Sequence, residues 1–208
     1  MLRHVLDPSD LSPAKRCSTS INRMRLDCLM TRYAVFLRGV NVGGVKVLMK
    51  DLTQLLLDAG FTEVKTLLAS GNVVLSVQIT DPLAIQEQCN ALLASHYQRP
   101  IPTLVYTVEE IQQLSAAFPL PLPQPAGEHH GYYTLCETAQ DAQEIGTAID
   151  GLENHGEYAI QGRAVAWIVR KGESTTNPIG KLMDAQAKQR IVSTRNHNTL
   201  VKVAKLLI

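Results

Sequence analysis

Aromatic residues are scarce in this chain, with three Phe, six Tyr and one Trp in 208 residues. That scarcity counts against a protein that stacks many bases on aromatic platforms. No apolar run approaches the ~20 residues needed to span a bilayer. The four cysteines, Cys17, Cys28, Cys89 and Cys136, form no CxxC pair. Their spacing fits neither a disulfide framework nor a zinc site, and free, reduced thiols in a cytoplasmic protein are expected. A phosphate-binding P-loop is missing too. Gly39 and Gly44 have its spacing, but Val45 stands where the lysine belongs and no Ser or Thr follows. The dinucleotide fingerprint GxGxxG, the nucleophile elbow and HExxH are all absent.

What is there has the balance of an ordinary globular protein, 45% apolar and 19% charged, long enough for one large domain or two small ones. The net charge of +1 conceals an asymmetry. Asp81 to Val169 holds 2 basic and 11 acidic residues, whereas Arg170 to Ile208 holds 8 basic and 2 acidic. Such a split either steers an anionic partner to one face or reflects two regions that lie against each other.

Residues 1–29 have no periodicity and no signal-peptide core, and they read as a disordered extension before a natural start at Met30. Strands are expected at 33–39, 63–68, 72–77 and 101–107, with helices from Leu48 to Ala59 and from Asp81 to Tyr97. The order is that of a ferredoxin-like βαββαβ unit. A connecting helix follows over 108–118. PLPLPQPAGEHHG, 119–131, with alternating prolines, reads as a linker, its His129 and His130 exposed and without a third metal ligand. The second half repeats the pattern over 132–208: a strand at 132–137, a helix at 139–149, a hairpin around Gly162-Arg163, and a helix at 177–190. Where a fourth strand belongs, the chain gives IVSTRNHNT and a C-terminal helix. The fold class expected is α+β, two ferredoxin-like halves, the second modified at its end.

In such a sheet the end of the first strand lies beside the start of the third. FLRGVNVGG (36–44) and ASGN (69–72) then share one rim. Ala34, Phe36 and Arg38 fall on one face of their strand, and Tyr33, Val35 and Leu37 on the other. Arg38 ends its row beside Gly39, Gly43 and Gly44, whose uncovered N–H groups next to a guanidinium would form an anion nest. Asn41, Ser70 and Asn72 add neutral polar groups. The alternative is turn geometry, with Arg38 capping carbonyls or pairing with an acid. A second cluster is STRNHNT (193–199), where Asn196 or Asn198 caps the last helix and Arg195 and His197 lie near its start. Lys181 is a third basic candidate. Cys136 has no base partner and reads as a small buried hydrophobe.

MTRYAVFLRGVNVGG, then V47-L-M49-x-x-L52, GFTEV, SGNVV, GKL and TRNHNTLVK resemble, in that order, the bacterial domain of unknown function 1697 family. The resemblance covers about residues 30 to 207. It implies a cytoplasmic α+β protein of two ferredoxin-like parts and supports Met30 as the start; it carries no established activity. It singles out Arg38, Gly39, Asn41, Gly43, Gly44, Ser70, Gly71, Asn72, Lys181, Arg195, Asn196 and Asn198. The family pattern has an aromatic and a glutamine where Leu67 and Ala69 stand here, and a tryptophan where His197 stands.

The function expected is an anion- or phosphate-binding module for a nucleotide or nucleic-acid partner, with no cofactor, no metal and no membrane. One alternative is an enzyme on a small phosphorylated or nucleotide substrate at the same rim, with His197 as acid or base. Another is a protein-interaction scaffold whose acidic middle recruits a basic partner or a second copy of the chain.

Overall fold

The computed structural model of the chain describes residues 30–41, 46–78, 81–125 and 127–208. The extension assigned to residues 1–29 and two candidate site residues, Gly43 and Gly44, lie outside them. The first half runs β1 (Thr31–Leu37), α1 (Met49–Asp58), β2 (Thr62–Leu67), β3 (Asn72–Val77), α2 (Pro82–Tyr97), β4 (Thr103–Thr107) and α3 (Val108–Ser115). The second half runs β5 (His129–Cys136), α4 (Ala139–Asp150), β6 (Tyr158–Gln161), β7 (Ala164–Arg170), α5 (Pro178–Gln186), β8 (Val192–Asn196) and α6 (His197–Leu207). The class is α+β.

Local chemistry sets the helix starts. Asp81 accepts from the Leu83 N–H ahead of a proline at the first turn of α2. Thr107 and Glu110 close a capping box on α3, and Thr138 and Asp141 close another on α4. Asn177 caps α5 and Asn196 caps α6. No helix among the described residues is long and apolar enough to cross a membrane.

Each half builds one four-stranded antiparallel sheet, ordered β2-β3-β1-β4 and β6-β7-β5-β8. The expectation that the second half lacks its fourth strand is corrected. Val192 to Asn196 is that strand, paired with β5 from Tyr132↔Asn196 to Cys136↔Val192. It is five residues long and rich in Ser, Thr, Arg and Asn, so its composition hides it. The linker assigned to 119–131 ends earlier than expected, because β5 begins at His129 and pairs it with Arg170.

The two faces of β1 go to different cores. Tyr33, Val35 and Leu37 pack with α1 and α2, while Ala34 and Phe36 face the second half. There they join Tyr106 of β4, Tyr133 and Leu135 of β5, Ala164 and Ala166 of β7, and Leu200, Val203, Ala204 and Leu207 of α6. A third cluster lies on the far face of the second sheet under α4 and α5. The middle cluster belongs to neither half alone, so the halves are not independent hydrophobic units. The charge asymmetry is partly absorbed in the same way. Arg190 pairs with Asp141 at 3.0 Å and Glu144 at 2.9 Å, and Arg170 pairs with Glu128 at 3.1 Å.

One polar clamp crosses the middle of this junction. Arg163, in the β6–β7 turn, donates from Nε to Glu110 Oε1 at 2.6 Å and lies 3.7 Å over the Tyr106 ring. The buried Tyr106 hydroxyl lies 2.9 Å from the carbonyls of Cys136 and Arg163 and accepts from the Cys136 N–H at 3.1 Å. Burial pushes the Tyr106 hydroxyl well above its ordinary value and the Cys136 thiol up to about 12. Burial also acts to raise the Glu110 carboxyl, but the Arg163 hydrogen bonds and the Thr107 N–H outweigh it and hold it below the usual carboxylate range.

Two outcomes follow from this shared core. Denaturant unfolding is a single transition, coincident for Trp167 fluorescence and far-UV signal; two separated transitions would mean independent halves. Arg163→Ala costs about 3 kcal/mol, because it leaves the Glu110 carboxylate in a part-buried site without its cation. The Glu110 contribution is complete above its ordinary value of 4.5 and fades as pH falls through the lowered native value. The variant therefore loses part of the wild type's stability gain between acid and neutral pH, which acid titration of the midpoint reads directly.

Candidate functional site

The rim expected from topology is present. The Leu37 N–H donates to the Gly71 carbonyl at 2.8 Å, and the Asn41 side chain reaches the Ala69 carbonyl. Gly71 makes this approach possible. It sits at φ +71°, and a Cβ there would lie 2.7 Å from both Leu37 Cβ and Val40 Cγ2. Asn41 also adopts a positive φ of 57°. Its amide accepts from the Val47 N–H at 2.9 Å and donates to the Val47 carbonyl at 3.1 Å, which ties Asn41 to Val47. Asn72, 0% exposed, donates to the Leu67 carbonyl at 2.8 Å and to Ser70 Oγ at 2.9 Å. These groups are spent on holding the rim.

Two arginines cross the junction at this rim in opposite directions. Arg195, on β8 opposite Tyr133, points toward the first sheet, with its guanidinium carbon 5.7 Å from the Phe36 ring centroid. Its Nε donates to Asn72 Oδ1 at 2.6 Å. Nη1 donates to Ser193 Oγ at 2.8 Å and the Thr194 carbonyl at 2.9 Å, and Nη2 to the carbonyls of Leu37 at 2.8 Å and Ser70 at 3.0 Å. All five guanidinium N–H groups are used. Every acceptor is neutral, and among the described residues Arg195 has no ion pair. Burial pulls its pKa down to about 10, which leaves it charged at neutral pH.

Arg38 travels the other way. It leaves β1 on the Phe36 face, as the alternation requires, and donates to the Ala187 carbonyl and, at 3.5 Å, to the Arg190 carbonyl. Ala187 is the C-cap of α5, so a cation meets the negative end of that helix. Arg38 has no ion pair with a described residue either. Unlike Arg195, it has three of its five N–H groups without a partner among the described residues.

Arg38 stands at the edge of a cleft of about 410 Å³ between α5 and β8. Tyr132 and Trp167 form its aromatic part, stacked at 5.2 Å between centroids and 23° between planes. Trp167 is 1% exposed and anchored by its Nε1–H, which donates to Thr134 Oγ1 at 3.1 Å; Tyr132 is half-buried. Ser174, Thr175, Ser193 and Thr194 bring hydroxyls, and Asp184 brings a carboxylate. Gly39 and Arg195 also line the cleft.

The structure thus brings together Arg38, Gly39, Asn41, Ser70, Gly71, Asn72 and Arg195. It does not bring the rest of TRNHNT with them. Asn196 accepts from the Asn198 N–H at 2.9 Å as the α6 cap, and Asn198 is exposed. His197 lies against Phe118 at 5.3 Å and Tyr133 at 6.0 Å, with Nε2 3.2 Å from the Ala116 carbonyl. Lys181 is exposed on α5 and is not among the residues lining the cleft. The sequence reading missed Tyr132, Trp167, Ser174, Thr175 and Asp184. The one usable signal was the sole Trp, on the same β7–β5 face as Tyr132 by register.

A family model described as "Protein of unknown function (DUF1697)" matches residues 30–165. The chain belongs to the DUF1697 family. Its fold is that of the solved structure of the conserved bacterial protein SP0830 from Streptococcus pneumoniae. The two share 24% sequence identity at a TM-score of 0.68, over 86% of this chain and 99% of that one. No curated protein matches the chain.

The unequal use of the two guanidinium groups predicts unequal mutants. Arg195→Met strands four carbonyl and amide oxygens in a part-buried site and lowers stability by about 3 kcal/mol. Arg38→Gln gives up one helix-end interaction and costs about 1 kcal/mol. Denaturant midpoints rank them; equal losses would contradict the division.

Proposed function

We propose that the chain is a binding module for a phosphate-bearing partner, a nucleotide or nucleic acid in class, which Arg38 engages at the cleft between α5 and β8. The single observation that carries the reading is the state of Arg38. It is a cation with no carboxylate partner among the described residues, held by the carbonyl that caps α5 and by the Arg190 carbonyl beyond it, with N–H groups left over beside a cleft. A guanidinium so placed suits the paired oxygens of a phosphate. Arg195 adds a second uncompensated positive charge nearby but no free donor, so its contribution is to the field.

Several features support the wider reading. The two sheet orders, with the middle strand pair flanked as β3-β1 and β7-β5, fit a ferredoxin-like unit in each half. Cys89 and Cys136 are free and buried, as suits a reducing compartment such as the cytoplasm. The enzymatic variant named His197 as acid or base; its seat on Phe118 and the Ala116 carbonyl counts against that role.

Inorganic pyrophosphate is the simplest probe. At a concentration a hundred times its dissociation constant it stabilises the wild type by about 2.7 kcal/mol, seen as a raised melting temperature. The effect weakens as salt rises and is absent in Arg38→Gln. Unchanged stabilisation in Arg38→Gln, or none in the wild type at any salt, would overturn the assignment.

A further inference from the structure

The cleft holds more than a phosphate site needs. An anion is served by Arg38. Ser193 Oγ is taken by Arg195 and Thr194 Oγ1 by Thr134, so the Tyr132 ring, the Ser174 and Thr175 hydroxyls and the single carboxylate of Asp184 are what the cleft has left. Tyr132 and Trp167 lie nearly parallel, the tryptophan buried and fixed by its hydrogen bond to Thr134, the tyrosine half-buried and turned to the cleft. A ring braced from behind in this way presents a flat apolar surface that cannot swing away. Such a surface binds another planar ring, and every nucleobase offers one. Ser174 and Thr175 supply neutral donors and acceptors of the kind that meet sugar hydroxyls, and Asp184 supplies an acceptor for an amino group or hydroxyl.

Size narrows the class. About 410 Å³ lies near the lower end of the range of roughly 300–1,000 Å³ found for small-molecule sites. A polymer that tracks its backbone along a protein uses a groove carrying repeated aromatic platforms and a line of cations. Among the described residues this cleft has one aromatic pair, and Arg38 and Arg195 are its only basic residues.

Resting on the phosphate reading, we infer that the ligand is a nucleoside monophosphate, with its base stacked on Tyr132 and its phosphate on Arg38. The selective element is then the ring of Tyr132, and the arginine is shared with any phosphate.

Trp167 is the sole tryptophan and touches the Tyr132 ring, so its emission reports occupancy without a label. The full chain is titrated with adenosine 5′-monophosphate, ribose 5-phosphate, inorganic phosphate and a decathymidylate, with Tyr132→Leu, Tyr132→Phe and Arg38→Gln alongside. Isothermal calorimetry repeats each titration, so that no result depends on the fluorophore. The expected result is that the monophosphate binds about tenfold or more tighter than ribose 5-phosphate, the size of one base–aromatic stack. Tyr132→Phe keeps that ratio, Tyr132→Leu brings it to one without changing ribose 5-phosphate affinity, and Arg38→Gln weakens both ligands together. Equal affinities for the two sugar phosphates in the wild type would overturn the inference and leave the phosphate reading standing. So would a ratio that survives Tyr132→Leu, or a decathymidylate that binds when the monophosphate does not. If no phosphate compound binds the wild type, both fall. The wild-type ratio is decisive by itself should Tyr132→Leu fold poorly.

Discussion

Arg195 is the constraint on which the rest of this structure depends. Its guanidinium enters the space between two sheets and gives all five N–H groups to neutral oxygens, two of them carbonyls of the first half and one the amide of Asn72. A charge in such a place is costly unless every donor is satisfied, and here each is. The Leu37 carbonyl ends β1 and the Ser70 carbonyl lies in the β2–β3 turn, so one side chain from the second half fixes the relative position of both. With the rim fixed, Arg38 leaves β1 at a defined place and reaches the end of α5. The cleft between α5 and β8 opens beside that arginine.

The two halves therefore exchange arginines. Arg38 from the first caps a helix of the second, Arg195 from the second ties loops of the first, and Arg163 meets Glu110 at a further point. The apolar contacts between the sheets supply most of the attraction, but they are non-directional and tolerate sliding. The guanidinium groups, with donors fixed in a plane, set the register. Glu110 is at once the capping residue of α3 and the partner of Arg163, so helix start and junction are coupled through one carboxylate.

Much of the first half was readable from residues alone. Strong β-branched and aromatic runs, leucines at helical spacing and a Gly stop gave its elements in order, and alternation along β1 put Arg38 on the face that Phe36 and Ala34 share. The short β8 was not readable, because STRN has the composition of a loop and becomes a strand only by pairing with β5. STRNHNT is one cluster in the sequence, yet it divides in the fold. Arg195 is the inward residue of a strand, while Asn196 ends that strand as the cap of α6 and His197 begins the helix. The question of why an arginine ends β1 had two answers in the sequence, a capping role and an anion role. The geometry places two of its hydrogen bonds on carbonyls and leaves the remaining N–H groups at a cleft. Of the aromatic pair only the sole Trp stood out in the sequence; that it meets Tyr132 is fixed by the β5–β7 register, which residues alone do not give.

The two arginines at the rim do different work, one closed and one open. Nitrogen-15 NMR of the arginine Nε–H groups, with hydrogen exchange, tests it at the atoms concerned. A slowly exchanging Arg195 Nε–H that is unmoved by added phosphate is expected, beside a fast-exchanging Arg38 Nε–H that shifts as phosphate is added. A rapidly exchanging Arg195, or a phosphate response at Arg195 and none at Arg38, would contradict it.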